Sequence, residues 1–218
     1  MATLVLIRHG QARDGLSPTG ELQALRLRDY WARRGVTFDD AFSGSLTRQR
    51  QTAELALGGA TQVRPAFNEY DAEGILTHLA PTLAAGDPGF ARLWADRQGG
   101  NRGFQKMFEV LVPKWMDGSL AAPGVETWAA FHTRVAEAIH QVQRDSPSGR
   151  RVAVFTSGGV IGVAVALALR TPDHSALEAN WRVKNGSLTE FTFTRDRLSL
   201  DSFNAIPHLD DPALVTFR

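Results

Sequence analysis

The chain has 218 residues, 43% of them hydrophobic and 22% charged, which is enough apolar content to bury one sizeable core. Basic and acidic residues nearly cancel to a formal net charge of +1, so no overall field favours nucleic acid or an anionic membrane as a partner. The absence of cysteine excludes disulfides, thiolate metal sites and cysteine nucleophiles.

The N-terminal residues predict a buried strand that ends in a polar turn. Residues 3–7 are apolar or β-branched, which is typical of a central strand covered on both faces. Arg8 and His9 interrupt this run, which is too short for a signal peptide or a membrane span. We therefore expect one domain over residues 1–218, a cytoplasmic location and no membrane partner.

Strands and helices are predicted to alternate through the first part of the chain. Ser17 and Pro18 mark a helix start, because serine caps a helix N-terminus and proline suits its first position. The predicted elements are a strand over 3–7, a helix from 18 to Gly35, a strand over 40–43, a helix over 46–57 and a strand over 62–66.

The second part repeats this alternation after a less regular segment. Residues 74–122 mix Pro and Gly clusters with helical pieces, which we interpret as a helical lid insertion. The elements predicted after it are a helix over 125–144, a strand over 151–157, a helix over 158–169 and strands over 188–194 and 198–206. The order predicts a three-layer α/β/α sandwich with a mostly parallel central sheet and an antiparallel edge hairpin.

Polar residues follow the predicted strands, where ligands bind in layered α/β folds. Arg8 and His9 end the first strand, and Arg48 lies in the first turn of a helix, which favours anions. A histidine at this place can present a ring nitrogen to phosphorus while arginine binds the phosphoryl oxygens. Gly10 is expected to let the backbone turn sharply and approach an anion.

Two further clusters could complete a phosphate site. Glu69 follows a strand and could act as a general acid, although Asp71 is close enough to take that role. Ser157 and Gly158, with the following glycine, could offer a hydroxyl and backbone N–H groups to phosphate. Taken alone, each cluster also has a plainer interpretation: a polar strand end, an exposed helix charge, a surface carboxylate or a glycine needed for packing.

The motifs together resemble those of a known family in the same order along the chain. LIRHGQA, residues 6–12, resembles the L-x-R-H-G-[EQ] signature of the histidine phosphatase (phosphoglycerate-mutase-like) superfamily, branch 1. Further segments that resemble the family are LSPTGELQA (16–24), SGSLTRQRQTAE (43–54), FNEYDAEG (67–74), PGVETWAAFHTRV (123–135), VFTSGGVI (154–161) and KNGSLTEF (184–191).

The resemblance implies a role for each matching residue. It makes His9 the phosphorylated nucleophile, Glu69 the proton donor, and Arg8 and Arg48 phosphate ligands. Further phosphate-binding candidates are Gln11, Ser157 and Gly158. The chain departs from the family at Ser157, which stands where a second histidine is usual.

We therefore expect a metal-independent phosphomonoesterase that acts on a small phosphorylated substrate through a phosphohistidine, without a cofactor. The serine leaves open a non-catalytic phospho-ligand-binding or interaction protein, and a phosphoglycerate mutase is a further alternative. The six histidines show no HxH or HExxH spacing, so no metal site is predicted. We expect no nucleic-acid partner and allow for a homodimer.

Overall fold

A computed structural model describes residues 1–13, 15–98 and 101–217. Its strands are β1 (Ala2–Arg8), β2 (Asp40–Ser43), β3 (Gln62–Val63), β4 (Arg151–Thr156), β5 (Leu188–Phe193) and β6 (Leu198–Ala205). They form one sheet in the order β3-β2-β4-β1-β5-β6. The pairs β3–β2, β2–β4 and β4–β1 are parallel, whereas β5 is antiparallel to both β1 and β6.

Helices alternate with these strands. They are α1 (Pro18–Arg34), α2 (Thr47–Leu57), α3 (Ala72–Gly74), α4 (Ala80–Gly86), α5 (Pro88–Ala95), α6 (Asn101–Met116), α7 (Trp128–Asp145), α8 (Gly158–Leu169) and α9 (His174–Arg182). A π-helical turn, Ile75–Leu79, joins α3 to α4, and short 3-10 helices cover Pro65–Phe67, Asp96–Gln98 and Pro212–Leu214. Within the described ranges, no helix is long and apolar enough to cross a membrane.

The core lies on the two central strands. Alternate residues of β1 and β4 pack with α1 and α2 in one buried cluster that contains Ile7, Phe155, Leu27, Trp31 and Ala53. The intervening residues of the same strands are equally buried on the opposite face of the sheet, and α8 is buried from its first residue through Ala166. The predicted layered fold with a mostly parallel sheet and an edge hairpin is confirmed.

The first helix begins and ends where its sequence predicts. The Ser17 hydroxyl accepts a hydrogen bond from the Gly20 N–H at 3.1 Å, and Pro18 occupies the first helical position. Gly35 ends the helix with φ 61°, a left-handed conformation that favours glycine. The direction in which α1 leaves the polar turn after β1 is therefore set by local sequence.

Two boundaries differ from the prediction by three residues, whereas the other predicted strands and helices outside residues 74–122 agree to within one residue. The strand predicted over 62–66 is only two residues long, because Pro65 has no N–H for a ladder and starts a 3-10 helix instead. The helix predicted over 125–144 begins at Trp128, because the Thr127 hydroxyl accepts a hydrogen bond from the Ala130 N–H at 3.2 Å.

The chain divides into two compact units, residues 1–69 with 134–218 and residues 70–133. The second unit contains the predicted insertion at 74–122, of which residues 99 and 100 lie outside the described ranges. Four of its aromatic rings pack on one another with neighbouring centroids 5.2–5.6 Å apart, at Tyr70, Trp115, Trp128 and Phe131. That this unit is a lid stays a prediction.

His208 is a buried titratable group in the first unit. Its side chain is 4% exposed and its ring lies 6.2 Å from that of Tyr30. Neither ring nitrogen has a hydrogen-bond partner among the residues that the structure describes. Burial lowers the pKa of His208 from 6.5 to about 4, because the charged imidazolium would lose its hydration without compensation.

We expect His208 to make stability fall as the solution is acidified. Between pH 6.5 and 4 the unfolded chain binds a proton that the folded chain does not, so the free energy of unfolding decreases by about 3 kcal/mol over this window. Urea titrations across the window should give a flatter curve for His208→Phe than for the wild type. The exposed His140→Gln is the control, and parallel curves for wild type and His208→Phe would contradict the expectation.

Candidate active site

The predicted site residues of the first unit gather at the carboxyl ends of β1 and β4. These strands pair in parallel with Arg8 opposite Thr156, and the His9 N–H donates to the Thr156 carbonyl at 2.9 Å. His9 and Ser157 are therefore the next residues along at the same edge of the sheet. Arg48 is the second residue of α2, and Ser157 directly precedes α8.

His9 is held in one orientation by two hydrogen bonds. Its side chain is 8% exposed, and its Nδ1 lies 2.7 Å from the Gly10 carbonyl oxygen. The Arg48 Nε–H donates to the other ring nitrogen, Nε2, at 3.1 Å. Because a carbonyl only accepts and a guanidinium only donates, the network assigns the proton to Nδ1 and leaves a lone pair on Nε2.

The charge state of His9 follows from its surroundings. Burial and the positive charges of Arg8 and Arg48 lower the pKa of His9 well below 6.5, and the hydrogen bond to Gly10 offsets only part of this effect. The imidazole is consequently neutral at pH 7. A neutral imidazole with a free Nε2 lone pair is the nucleophilic form of histidine.

The turn after His9 is packed tightly against the start of α1. A Cβ atom on Gly10 would lie 2.5 Å from the Gly20 carbonyl oxygen, and one on Gly20 would lie 2.1 Å from that of Gln11. The Gly10 N–H donates to the Thr52 hydroxyl at 3.0 Å. Gly10 does not have a positive φ. The observed reason for glycine here is this backbone contact, not the sharp turn toward an anion that the sequence suggested.

Arg8 and Gln11 flank His9 but make contacts of their own. The buried Arg8 guanidinium donates to the Val183 carbonyl through Nη1. The side-chain oxygen of Gln11 accepts from the Ser17 hydroxyl at 2.8 Å. The structure therefore places both residues beside the nucleophile and ties each to a neighbouring element.

Glu69 lies at the N-terminus of α8. Its Oε2 accepts a hydrogen bond from the Gly159 N–H at 3.0 Å, where the helix dipole favours a negative group. Arg134 fixes the preceding loop by donating to the carbonyls of Ala66 and Asn68, each at 2.9 Å, and to that of Glu69 at 3.3 Å. The Gly159 N–H, one of the backbone groups that we expected to bind phosphate, thus donates to the candidate acid Glu69 instead.

Asp71, the alternative acid, has a structural contact. Its Oδ1 accepts from the Gly74 N–H at 2.8 Å and so caps α3. This contact favours Glu69 over Asp71 for the chemistry.

Ser157 is fully buried and is hydrogen-bonded to the side-chain amide of Gln49, a residue that the sequence did not indicate as part of the site. Gln49 Nε2 donates to Ser157 Oγ at 2.9 Å and to the Phe67 carbonyl at 3.1 Å. The serine oxygen therefore accepts from Gln49, which leaves its own proton to point elsewhere. A Cβ on Gly158 would lie 2.1 Å from Asn180 Oδ1, so this glycine allows α9 to approach closely.

Two more buried amides support the His9 turn from behind. Asn185 Nδ2 donates to the His9 carbonyl at 3.3 Å, and Gln23 Oε1 accepts from the Gln11 N–H at 2.8 Å. Thr216 joins them, because its hydroxyl contacts Asn185 Oδ1 and Gln23 Nε2, each at 3.0 Å. Gln23 lies in the LSPTGELQA segment and Asn185 in the KNGSLTEF segment. Their place in these family-like segments was the only indication in the sequence that either residue belongs to the site.

The described residues include no group of three or more His, Asp or Glu side chains placed to hold a metal ion. What the site presents to a ligand is a buried neutral imidazole, a guanidinium in contact with it, and a carboxyl group at a helix N-terminus. This combination suits a tetrahedral anion whose central atom is attacked by nitrogen.

One curated protein is similar in sequence to part of this chain. A broad-specificity phosphatase of Saccharomyces cerevisiae is 38% identical over 27% of this chain and 31% of its own length. The match therefore spans about a third of that curated relative.

Solved structures match over nearly their whole length at low identity, which indicates a shared fold. They include a phosphoserine phosphatase mutant of Entamoeba histolytica in complex with phosphoserine (19% identity, 96% of this chain and 100% of that one, TM-score 0.65). A putative α-ribazole-5'-P phosphatase of Escherichia coli matches at 22% identity, with 94% and 97% covered and a TM-score of 0.66. A phosphoglycerate mutase of Bacillus anthracis matches at 18% identity, with 95% of each chain covered and a TM-score of 0.66.

The sequence of this chain also matches the model of one protein family. Residues 4–206 match the sequence model of the histidine phosphatase superfamily, branch 1, which covers nearly the whole chain and every segment that forms the site. The chain belongs to this superfamily.

Proposed function

We propose that the chain is a metal-independent phosphomonoesterase that forms a phosphohistidine at His9. The observation that carries the proposal is the state of His9, whose proton lies on Nδ1 toward the Gly10 carbonyl while Nε2 faces Arg48. A low pKa keeps that nitrogen unprotonated at neutral pH. The site therefore holds a nucleophile that needs no separate base.

In the first step, His9 Nε2 attacks the phosphorus atom in line with the ester oxygen. The N–P bond forms as the P–O bond to the leaving group breaks, and protonated Glu69 gives its proton to the departing oxygen. Arg48 then binds the phosphoryl oxygens with the same guanidinium that donates to Nε2 in the structure. Arg8 adds a second positive charge near the imidazole.

In the second step, water attacks the phosphohistidine. Glu69, now a carboxylate, takes a proton from the water, the N–P bond breaks, and its electron pair returns to Nε2. Orthophosphate leaves, and the enzyme regains its first state with Glu69 protonated. The Gly159 N–H keeps the carboxyl group at one place through both steps.

A small phosphorylated substrate is proposed for two reasons. The superfamily membership gives a phosphatase or mutase, and two of the similar structures carry phosphoserine and α-ribazole-5'-P in their names. In addition, the chain has no overall charge that would draw a polyanionic polymer to the site.

Ser157 supports a second candidate, a phospho-ligand-binding protein without turnover. A short neutral hydroxyl held by Gln49 replaces the charged donor that the family's second histidine supplies. Phosphate binding without phosphoryl transfer is the behaviour that distinguishes this candidate.

We expect His9 to become phosphorylated. Incubation with a reactive phosphoryl donor should label the wild type in an acid-labile, alkali-stable form, and steady-state assays on a panel of phosphomonoesters should show turnover. His9→Ala should lose both, because no other group supplies the nucleophile. Exposed His140→Gln is the matched control. Absence of label and turnover in a folded wild type that still binds phosphate would establish the binding protein instead.

The fate of the phosphoryl group separates a phosphatase from a mutase. We expect transfer to water, so that orthophosphate accumulates from phosphomonoesters and 3-phosphoglycerate is not converted to 2-phosphoglycerate when 2,3-bisphosphoglycerate is present. Isomerisation faster than phosphate release would overturn the hydrolase proposal while leaving the phosphohistidine in place.

We expect the Ser157 hydroxyl to donate to the phosphoryl group. Ser157→Ala should slow His9 phosphorylation on the order of a hundredfold, which is the usual cost of losing one donor to a developing charge. Thr156→Val is the control, because that neighbouring hydroxyl donates to the Phe67 carbonyl and is equally buried. Single-turnover rates of Ser157→Ala equal to the wild type would rule the donor role out.

A further inference from the structure

A second basic site lies in the first unit, away from His9. A cavity of about 400 Å³ is formed by α7, by the C-terminal end of α8 and by the turn between β5 and β6. Its lining consists of Ile139, His140, Gln143, Arg144, Leu167, Arg170, Arg195, Asp196, Arg197 and Leu198. We call it the arginine pocket.

The arginine pocket concentrates positive charge. Four arginines and one aspartate give a formal charge of +3 in a chain whose total is +1, so the remainder of the chain sums to −2. In the part of the chain that the structure describes, none of the four arginines lies within 4.0 Å of a carboxylate. Four like charges that share one concave surface repel one another unless an anion binds between them.

Hydrogen bonds hold the backbone that forms the arginine pocket, although the arginine side chains are exposed. Buried Gln143 donates through Nε2 to the Thr194 carbonyl at 2.9 Å and to the Arg197 carbonyl at 3.1 Å, which anchors the hairpin turn on α7. The Arg197 Nε–H donates to the Ser199 hydroxyl at 2.9 Å, which orients the guanidinium.

Arg170 is an unusual residue at its position. It ends α8 with φ 55° and ψ 40°, a left-handed conformation that glycine adopts at lower energetic cost. Helix dipoles favour cations at the ends of α7 and α8, which accounts for Arg144 and Arg170. They do not account for Arg195 and Arg197, which lie on a hairpin turn.

We propose that the arginine pocket binds a small molecule carrying two or more phosphate groups. Guanidinium forks match phosphate oxygens in pairs, and arginines from three elements can contact separate phosphates at once. The cavity has the volume of a site for one small ligand, and its apolar lining at Ile139, Leu167 and Leu198 can cover an organic moiety.

The arginine pocket is separate from the phosphate site at His9. Gly159 contacts Glu69 at one end of α8, whereas Leu167 and Arg170 line the pocket at the other. The twelve residues of α8 span about 18 Å. A ligand here therefore does not contact the His9 imidazole, and the two sites can be occupied together.

Calorimetric titration of the full chain with inorganic tripolyphosphate at 0.15 M salt tests the proposal. Arg48→Ala provides the background, because it weakens binding at His9 and leaves the arginine pocket unchanged. We expect saturable one-to-one binding that weakens at least tenfold when Arg195→Gln and Arg197→Gln are added. The control adds Arg28→Gln and Arg33→Gln, which change two exposed α1 residues and so make the same charge change elsewhere. It should leave the affinity for tripolyphosphate within twofold of the Arg48→Ala background.

Three results would overturn the proposal. One is an affinity unchanged by the Arg195 and Arg197 substitutions in protein whose circular dichroism and melting temperature match the background. Another is an equal loss in the α1 control, which would indicate a general charge effect. The third is tighter pocket-dependent binding to single-stranded DNA or to vesicles of anionic phospholipid than to tripolyphosphate, which would assign the surface to a macromolecule or a membrane.

Discussion

The hydrogen bond between His9 Nδ1 and the Gly10 carbonyl is the interaction on which the site depends. It fixes the tautomer and turns Nε2 toward Arg48. Gly10, which carries this carbonyl, is confined by its close contact with Gly20 and by the hydrogen bond from its N–H to the Thr52 hydroxyl. Two glycines without side chains and one buried hydroxyl thus decide which ring nitrogen is available for chemistry.

The charges around His9 also favour the neutral form of its imidazole. An imidazolium at His9 would be a third positive charge beside buried Arg8 and half-buried Arg48, so the protein holds the ring neutral. Both guanidiniums remain charged, and an incoming phosphate dianion offsets that concentration of positive charge. In the proposed mechanism, this site combines an uncharged imidazole with two positive charges, which a bound phosphate offsets before any bond to His9 forms.

Local sequence was sufficient for elements whose signals are local. β1 and β4 are long apolar runs, α1 has a cap at each end, and the edge hairpin alternates around a polar turn, so each was predicted. The short helices between residues 72 and 95 were not, because the prolines and the π-helical turn in this stretch mask a 3.6-residue period. The roles of Gln49 and Arg134 depend on partners distant in sequence, and no spacing rule reports such contacts.

The pairing of Gln49 with Ser157 bears on how the site could be converted to one with two histidines. Residue 157 has no exposed surface, and its hydroxyl accepts a hydrogen bond from the Gln49 side-chain amide, which also donates to the Phe67 carbonyl. An imidazole placed there alone would compete with that amide for the same volume. Positions 49 and 157 therefore change together: a histidine at position 157 requires a shorter residue at position 49, after which the Thr156 hydroxyl remains as a donor to the Phe67 carbonyl.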